Sequence, residues 1–204
     1  MTISRKTITT GASQINQHKA MNKKILFIIA VLASAALSAR AQNLVANPGF
    51  ETGDFTGWTQ FGDTSFTAVD SGFDGVFPHS GNFQAHFGPF ADGGINQALT
   101  GPAGTYSVDF WLAAAGGGAG DYVTVDLGGI QIYTLPGSGA FAYTHITETA
   151  TTGANPLLEF HFINQPSYWF VDDVNVVAVP EPGTLGLIAL GGLGLVAALR
   201  KRLA

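Results

Sequence analysis

The chain has 204 residues, 27 glycines, 15 phenylalanines, 11% charged residues and no cysteine, which excludes a disulfide scaffold, a thiolate metal site and a cysteine nucleophile and argues against a helical bundle. Its nine basic residues, set against a net charge of -5, are Arg5, Lys6, Lys19, Lys23, Lys24, Arg40, Arg200, Lys201 and Arg202, so no Lys or Arg lies between residues 41 and 199, whereas all 14 acids fall between residues 42 and 182. Such a body cannot neutralise phosphates by counterion release, which excludes nucleic acid as a partner and makes anionic lipid a poor one for this region.

The first 20 residues are polar and unpatterned, and Met21 reads as the true initiator, with a long basic leader as the alternative. Lys23 and Lys24 precede an apolar run over 25–37, and Ala39 and Ala41 form a small-x-small site. A basic start, a short apolar stretch and small residues at the cut are the marks of a secretory signal peptide, here 1–41, removed by signal peptidase after Ala41.

Residues 42–178 alternate apolar and polar positions between glycine-rich breaks. Strands are expected over 65–69, 83–87, 95–99, 106–112, 122–127, 130–134, 143–149, 158–162 and 169–177. Tyr106, Val108, Phe110 and Leu112 share one parity, and so do Leu158, Phe160 and Phe162, giving strands with one buried and one wet face. About nine short strands without an amphipathic helix predict an all-β fold, an antiparallel sandwich.

Chemistry-bearing residues are sparse. His79, His86, His145 and His161 form no His-x-His or His-Glu-x-x-His spacing and read as surface or turn residues rather than transition-metal ligands. The Gly-Ser-Gly at 137–139 lacks a nucleophile-elbow setting, and 116–120 lacks the Lys of a phosphate loop. Nothing in the spacing of the acids selects a pair for glycoside hydrolysis, so the chain reads as non-catalytic. Trp111, opposite in parity to Phe110, and Tyr168 with Trp169, beside a turn, are the candidate platforms for stacking a sugar ring, with ordinary packing as the alternative; Trp58 reads as core.

The C-terminal segment, 179–204, opens with Pro180, Glu181 and Pro182, continues through an apolar stretch over 184–199 and ends on Arg200, Lys201 and Arg202. Sixteen helical residues at ~1.5 Å each reach about 24 Å, short of a ~30 Å hydrocarbon core by an amount that snorkelling arginines absorb. A single transmembrane helix is expected there. Both basic clusters flank their apolar stretches so that 42–182 is exported.

The Pro-Glu-Pro triplet, the short glycine-bearing apolar stretch and the terminal basic cluster resemble the PEP-CTERM sorting signal. That resemblance implies processing by an exosortase in Gram-negative bacteria that make exopolysaccharide, with the anchor later removed or exchanged. The phrases Asn47-Pro48-Gly49-Phe50-Glu51, Gly57-Trp58, Ser80-Gly81-Asn82-Phe83 and Phe170-Val171-Asp172-Asp173-Val174 resemble the jelly-roll, galactose-binding-like fold of carbohydrate-binding modules of the family 4, 9 and 22 type. In such modules the matching acids help to hold a structural calcium, here Glu51 and Asp172 with Asp173 beside them; a turn cap and solvated strand-end acids are the alternative. Together these features imply an exported protein, membrane-anchored by its C-terminal helix and then at the cell surface or outside it, associated with exopolysaccharide or biofilm matrix and binding glycan. A calcium-stabilised structural protein without sugar binding is the alternative, and a secreted hydrolase the third.

Overall fold

The computed structural model describes residues 42–137, 139–180 and 191. The expected signal peptide, with Ala39 and Ala41, and the expected anchor helix, with Glu181, Pro182, Arg200, Lys201 and Arg202, lie outside the described residues. The described residues between 42 and 180 belong to one compact unit.

Ten strands build it: β1 Thr59–Gly62, β2 Thr67–Asp70, β3 Gln84–Phe87, β4 Gly93–Ala98, β5 Gly104–Ala114, β6 Tyr122–Leu127, β7 Ile130–Pro136, β8 Phe141–Thr152, β9 Leu157–Ile163 and β10 Trp169–Ala178. The nine expected strands are all present. The tenth, β1, was missed because its sequence, TQFG, holds one apolar residue and shows no alternation. Pairing decides it instead, as β1 runs antiparallel to β4, and Gly62 turns the chain at φ +64 where an added Cβ would come 2.3 Å from the Asp92 carbonyl oxygen.

The strands form two five-stranded antiparallel sheets, β1-β4-β9-β6-β7 (the first sheet) and β2-β3-β10-β5-β8 (the second). Their inner faces carry the parities read from the sequence: Tyr106, Val108, Phe110, Leu112, Leu158, Phe160 and Phe162 are fully buried. Rings bridge the sheets, Phe87 stacking on Phe162 at 4.0 Å and Phe110 meeting Phe160 edge-on at 5.2 Å. Each such ring buries a large apolar area and adds about 0.5–1.5 kcal/mol of oriented contact. Trp58 joins the core as expected, stacked against Phe50 at 5.8 Å with its indole N–H donating to the Asn47 carbonyl at 3.2 Å.

The first described residues are stitched along β10. Leu44 N–H donates to Val176 O at 2.8 Å, Asn43 Nδ2 to Val174 O at 3.0 Å, and Val176 N–H to Asn43 Oδ1 at 2.9 Å. The chain therefore enters and leaves this unit at the same end, beside the C-terminal end of β10. Buried Gln97 ties that entry segment to β4, accepting from Ala46 N–H at 2.7 Å and donating to the carbonyls of Ala46 and Gly57 at 3.1 and 2.8 Å.

Candidate functional site

The acids singled out in the sequence meet on the outer side of the second sheet. A bulge interrupts β10 between Asp172 and Asn175, and Asp173 takes φ +51, a conformation Asp tolerates better than most residues. Gly49 lies where the three acids converge: a Cβ there would touch Asp173 Oδ1 at 3.4 Å, Asp172 Oδ1 at 3.5 Å and Glu51 Cγ at 3.6 Å. Asp172 is fully buried, and burial together with the neighbouring Asp173 carboxylate raises its pKa to about 6. Its Oδ2 accepts the backbone N–H of His79 at 2.9 Å and Ser80 at 3.3 Å, and its Oδ1 that of Asp173 at 2.8 Å. Asp173 accepts from Ser80 Oγ–H at 2.7 Å and contacts His79 Nδ1 at 2.7 Å. Glu51 accepts the N–H groups of Asn82 and Phe83 at 2.9 and 3.1 Å, and the Asn82 bond holds its pKa below the usual value. Hard oxygen donors and negative charge of the kind calcium takes are gathered here. Among the described residues, however, no three acidic or imidazole side chains stand placed to hold an ion by themselves. An ion here would need further oxygen ligands, such as backbone carbonyls and water.

The expected aromatic platforms fare differently from one another. Trp169 is a correction: it faces inward from β10, is fully buried, and donates its indole N–H to the Ile163 carbonyl at 3.0 Å, so no sugar ring can reach it. Trp111 does face outward, but its ring is covered by parallel contacts with His79 at 3.7 Å and His145 at 4.9 Å. Tyr168 meets Phe73 edge-on at 4.8 Å and His86 at 5.4 Å. Of the four histidines, His79 and His145 lie exposed, in keeping with the expectation of surface or turn residues, and His86 departs from it. His86 is buried under Phe73, stacked at 4.3 Å, and bonded to Asp70, while burial lowers its pKa. Each of the four pairs with aspartate, His79 with Asp173, His86 with Asp70, His145 with Asp109 and His161 with Asp92 and Asp126. In a body without Lys or Arg, imidazole is the one side chain that can carry the positive end of an ion pair.

The first sheet presents the more open face. Register places its outward side chains in rows: Phe61, Gly94, His161, Thr124 and Thr134 in one, and Thr59, Asn96, Glu159, Asp126 and Gln131 in the next. Because Gly94 carries no side chain, Phe61 reaches across it to meet the His161 ring edge-on at 4.8 Å. Asp92, Tyr122, Thr124, Asp126, Gln131, Thr134, Pro136 and His161 line a shallow groove of ≈ 410 Å³. Within it Tyr122 O–H donates to Asp92 Oδ1 at 2.7 Å; burial, with that carboxylate, pushes its pKa up to about 12. His161 bridges two acids, its Nδ1 lying 3.3 Å from Asp92 and its Nε2 3.6 Å from Asp126. A larger hollow of ≈ 510 Å³ between the entry segment and β4 is lined by Gln42, Asn43, Leu44, Ala46, Gly57, Gln97, Ala98 and Thr100, with neither an ionisable group nor a ring. A mixture of rings, hydroxyls, amides and carboxylates on an open face suits a polyhydroxylated ligand, and of these two hollows the first-sheet groove has it. Sequence reading missed this groove because its residues come from three strands, β6, β7 and β9, and from Asp92 just before β4, and each alone is unremarkable.

No curated protein matches the sequence. Solved structures share the fold at low identity. TmCBM61 in complex with β-1,4-galactotriose is 21% identical with a TM-score of 0.56, over 68% of this chain and 100% of that one. Family 16 Carbohydrate Binding Module-2 is 17% identical with a TM-score of 0.51, over 66% and 99%. The CBM22-1-CBM22-2 tandem domain of Paenibacillus barcinonensis Xyn10C is 14% identical with a TM-score of 0.53, over 71% of this chain and 48% of the tandem. The sandwich is thus similar in fold to carbohydrate-binding modules. Residues 178–202 match the PEP-CTERM protein-sorting motif, the signal of an exported chain targeted to an exosortase.

Proposed function

We propose that this is a non-catalytic, exported glycan-binding module of the cell surface or matrix, and that it holds polysaccharide on the outer face of the first sheet. The observation that carries the reading is the groove itself, in which Tyr122 and His161 offer rings, with Phe61 packed beside His161, while Asp92, Thr124, Asp126, Gln131 and Thr134 offer hydrogen-bonding groups. The fold supports it, since TmCBM61 takes β-1,4-galactotriose on a similar sandwich. An open face favours binding over catalysis, because catalysis gains most from a site that excludes water. The sorting motif supports display in the exopolysaccharide layer, by way of signal peptidase, a transient C-terminal membrane anchor and exosortase.

Calcium at Glu51, Asp172 and Asp173 belongs to the same proposal. What supports it is a fully buried carboxylate beside a second one, with no Lys or Arg between residues 41 and 199 to offset them. A bound divalent cation would supply that charge and fasten the Pro48–Glu51 turn to the bulge of β10.

The test is affinity electrophoresis of the full-length chain, with nonionic detergent and calcium present, through gels containing β-1,4-galactan, xylan or chitosan. Retardation by at least one polymer, lost in Tyr122→Ala and His161→Ala and kept in Trp111→Ala, is expected. A chain retarded by none of them is the structural protein without sugar binding.

A further inference from the structure

The glycan reading leaves the ligand's charge open, and the charges that line the groove, Asp92 and Asp126, with Glu159 beside Asp126, address it. Asp126 on β6 and Glu159 on β9 are direct cross-strand partners pointing out of the same face. Like charges placed opposite one another weaken a sheet. Asp92 stands over the same surface, tied to Tyr122 and to one edge of His161. The single side chain able to answer these three carboxylates is His161, which reaches Asp92 and Asp126; Glu159 has no ion-pair partner among the described residues. One imidazole can offer at most one positive charge against three carboxylates, so the face stays short of positive charge. No Lys or Arg lies anywhere between residues 41 and 199 to supply it from elsewhere.

Building on the glycan reading above, we propose that the groove selects amino sugars, glycans whose units carry free protonated amines, over neutral and acidic polymers. An ammonium group brings three N–H donors and a unit positive charge, and it can sit between Asp126 and Glu159 where a neutral hydroxyl would leave their repulsion in place. Rings at Phe61 and His161 and the hydroxyls of Thr124 and Thr134 meet the remainder of the sugar. Uronates and sulfated glycans bring a further negative charge to a face that already has three and are turned away, the more so at low salt. The acid pair is thus a specificity element whose cost to the empty sheet is recovered when the amine arrives.

Two probes that differ only in the amine test this: the trimer of glucosamine and the trimer of N-acetylglucosamine, titrated calorimetrically at pH 7 into the full-length chain. The glucosamine trimer is expected to bind tighter. Each of Asp126→Asn and Glu159→Gln should shrink its advantage by roughly threefold, as half-exposed ion pairs do, and raised salt should shrink it too. Asp74→Asn removes one charge from an exposed turn outside the groove and should change nothing. Both groove variants should melt no lower than the parent, since each relieves the cross-strand repulsion. Equal binding of the two trimers overturns the inference and leaves the glycan reading standing, as does an Asp74→Asn loss as large as the groove variants'. If neither trimer binds and galactotriose, xylan and galactan also fail, the glycan reading falls with it.

Discussion

Asp172 offers the sharpest energetic prediction. Its carboxylate is wholly buried, and burial with the adjacent Asp173 raises its pKa from 3.8 to about 6. The folded chain therefore holds this proton more tightly than the unfolded chain. The resulting stability is fully present below about pH 4 and is lost as the pH rises through about 6. At about 1.36 kcal/mol per tenfold change, the difference between 3.8 and about 6 sets a ceiling of about 3 kcal/mol. Asp172→Asn removes the titration while keeping the shape. It also puts an amide where the backbone N–H groups of His79 and Ser80 now meet an oxygen, but that cost does not depend on pH. The measurement is thus the gap in melting temperature between the two proteins, in chelator, from pH 4 to pH 7.5. The variant should gain on the parent by up to about 10 °C, at about 4 °C per kcal/mol for a domain of this size. Taking the gap between two proteins cancels His86, whose lowered pKa works in the opposite direction over the same range. A gap that stays constant with pH would refute the reasoning about the buried carboxylate.

Calcium should raise the parent's melting temperature at pH 7.5, by an amount corresponding to about 2.7 kcal/mol at a hundredfold excess over its dissociation constant, and chelator should reverse it; an unchanged midpoint removes the ion from the account. Phe160→Ala, which empties a ring site touching Trp58, Phe110 and Phe162, should cost about 3–5 kcal/mol in chemical denaturation, and a loss under 1 kcal/mol would contradict the packing described. Trp169→Ala should lower the melting temperature steeply, whereas Trp111→Ala should leave polysaccharide retardation unchanged; the reverse pattern would return the binding site to the second sheet. In the native host the mature protein should lack residues 184–204 by intact mass, and a surface product carrying both termini would speak against processing at the sorting motif.

Most of the scaffold could be read from alternation, because a strand with one buried face writes its geometry directly into the chain. The opposite parities of Phe110 and Trp111, and of Phe160 and His161, can be read from the sequence alone. What escaped is whatever depends on partners far away in sequence. β1 is a strand because β4 lies beside it, Trp169 is core because β10 is central in its sheet, and His86 is buried because Phe73 folds over it. The acids near Gly49 were legible through family-like phrases at two distant places, and the fold does bring them together. The first-sheet groove was not, since no local pattern marks residues on β6, β7 and β9 and Asp92 before β4 as neighbours. One hint was available: with no Lys or Arg in the body, every histidine had to be the natural partner of some aspartate.

The central claim is that ligand sits on the outer face of the first sheet. Amide chemical-shift mapping with galactotriose and with the glucosamine trimer tests it directly. Shifts gathered at Phe61, Tyr122, Thr124, Asp126, Gln131 and His161 are the result predicted. Shifts gathered around Trp111 and Tyr168, or none with either sugar at millimolar concentration, would contradict it.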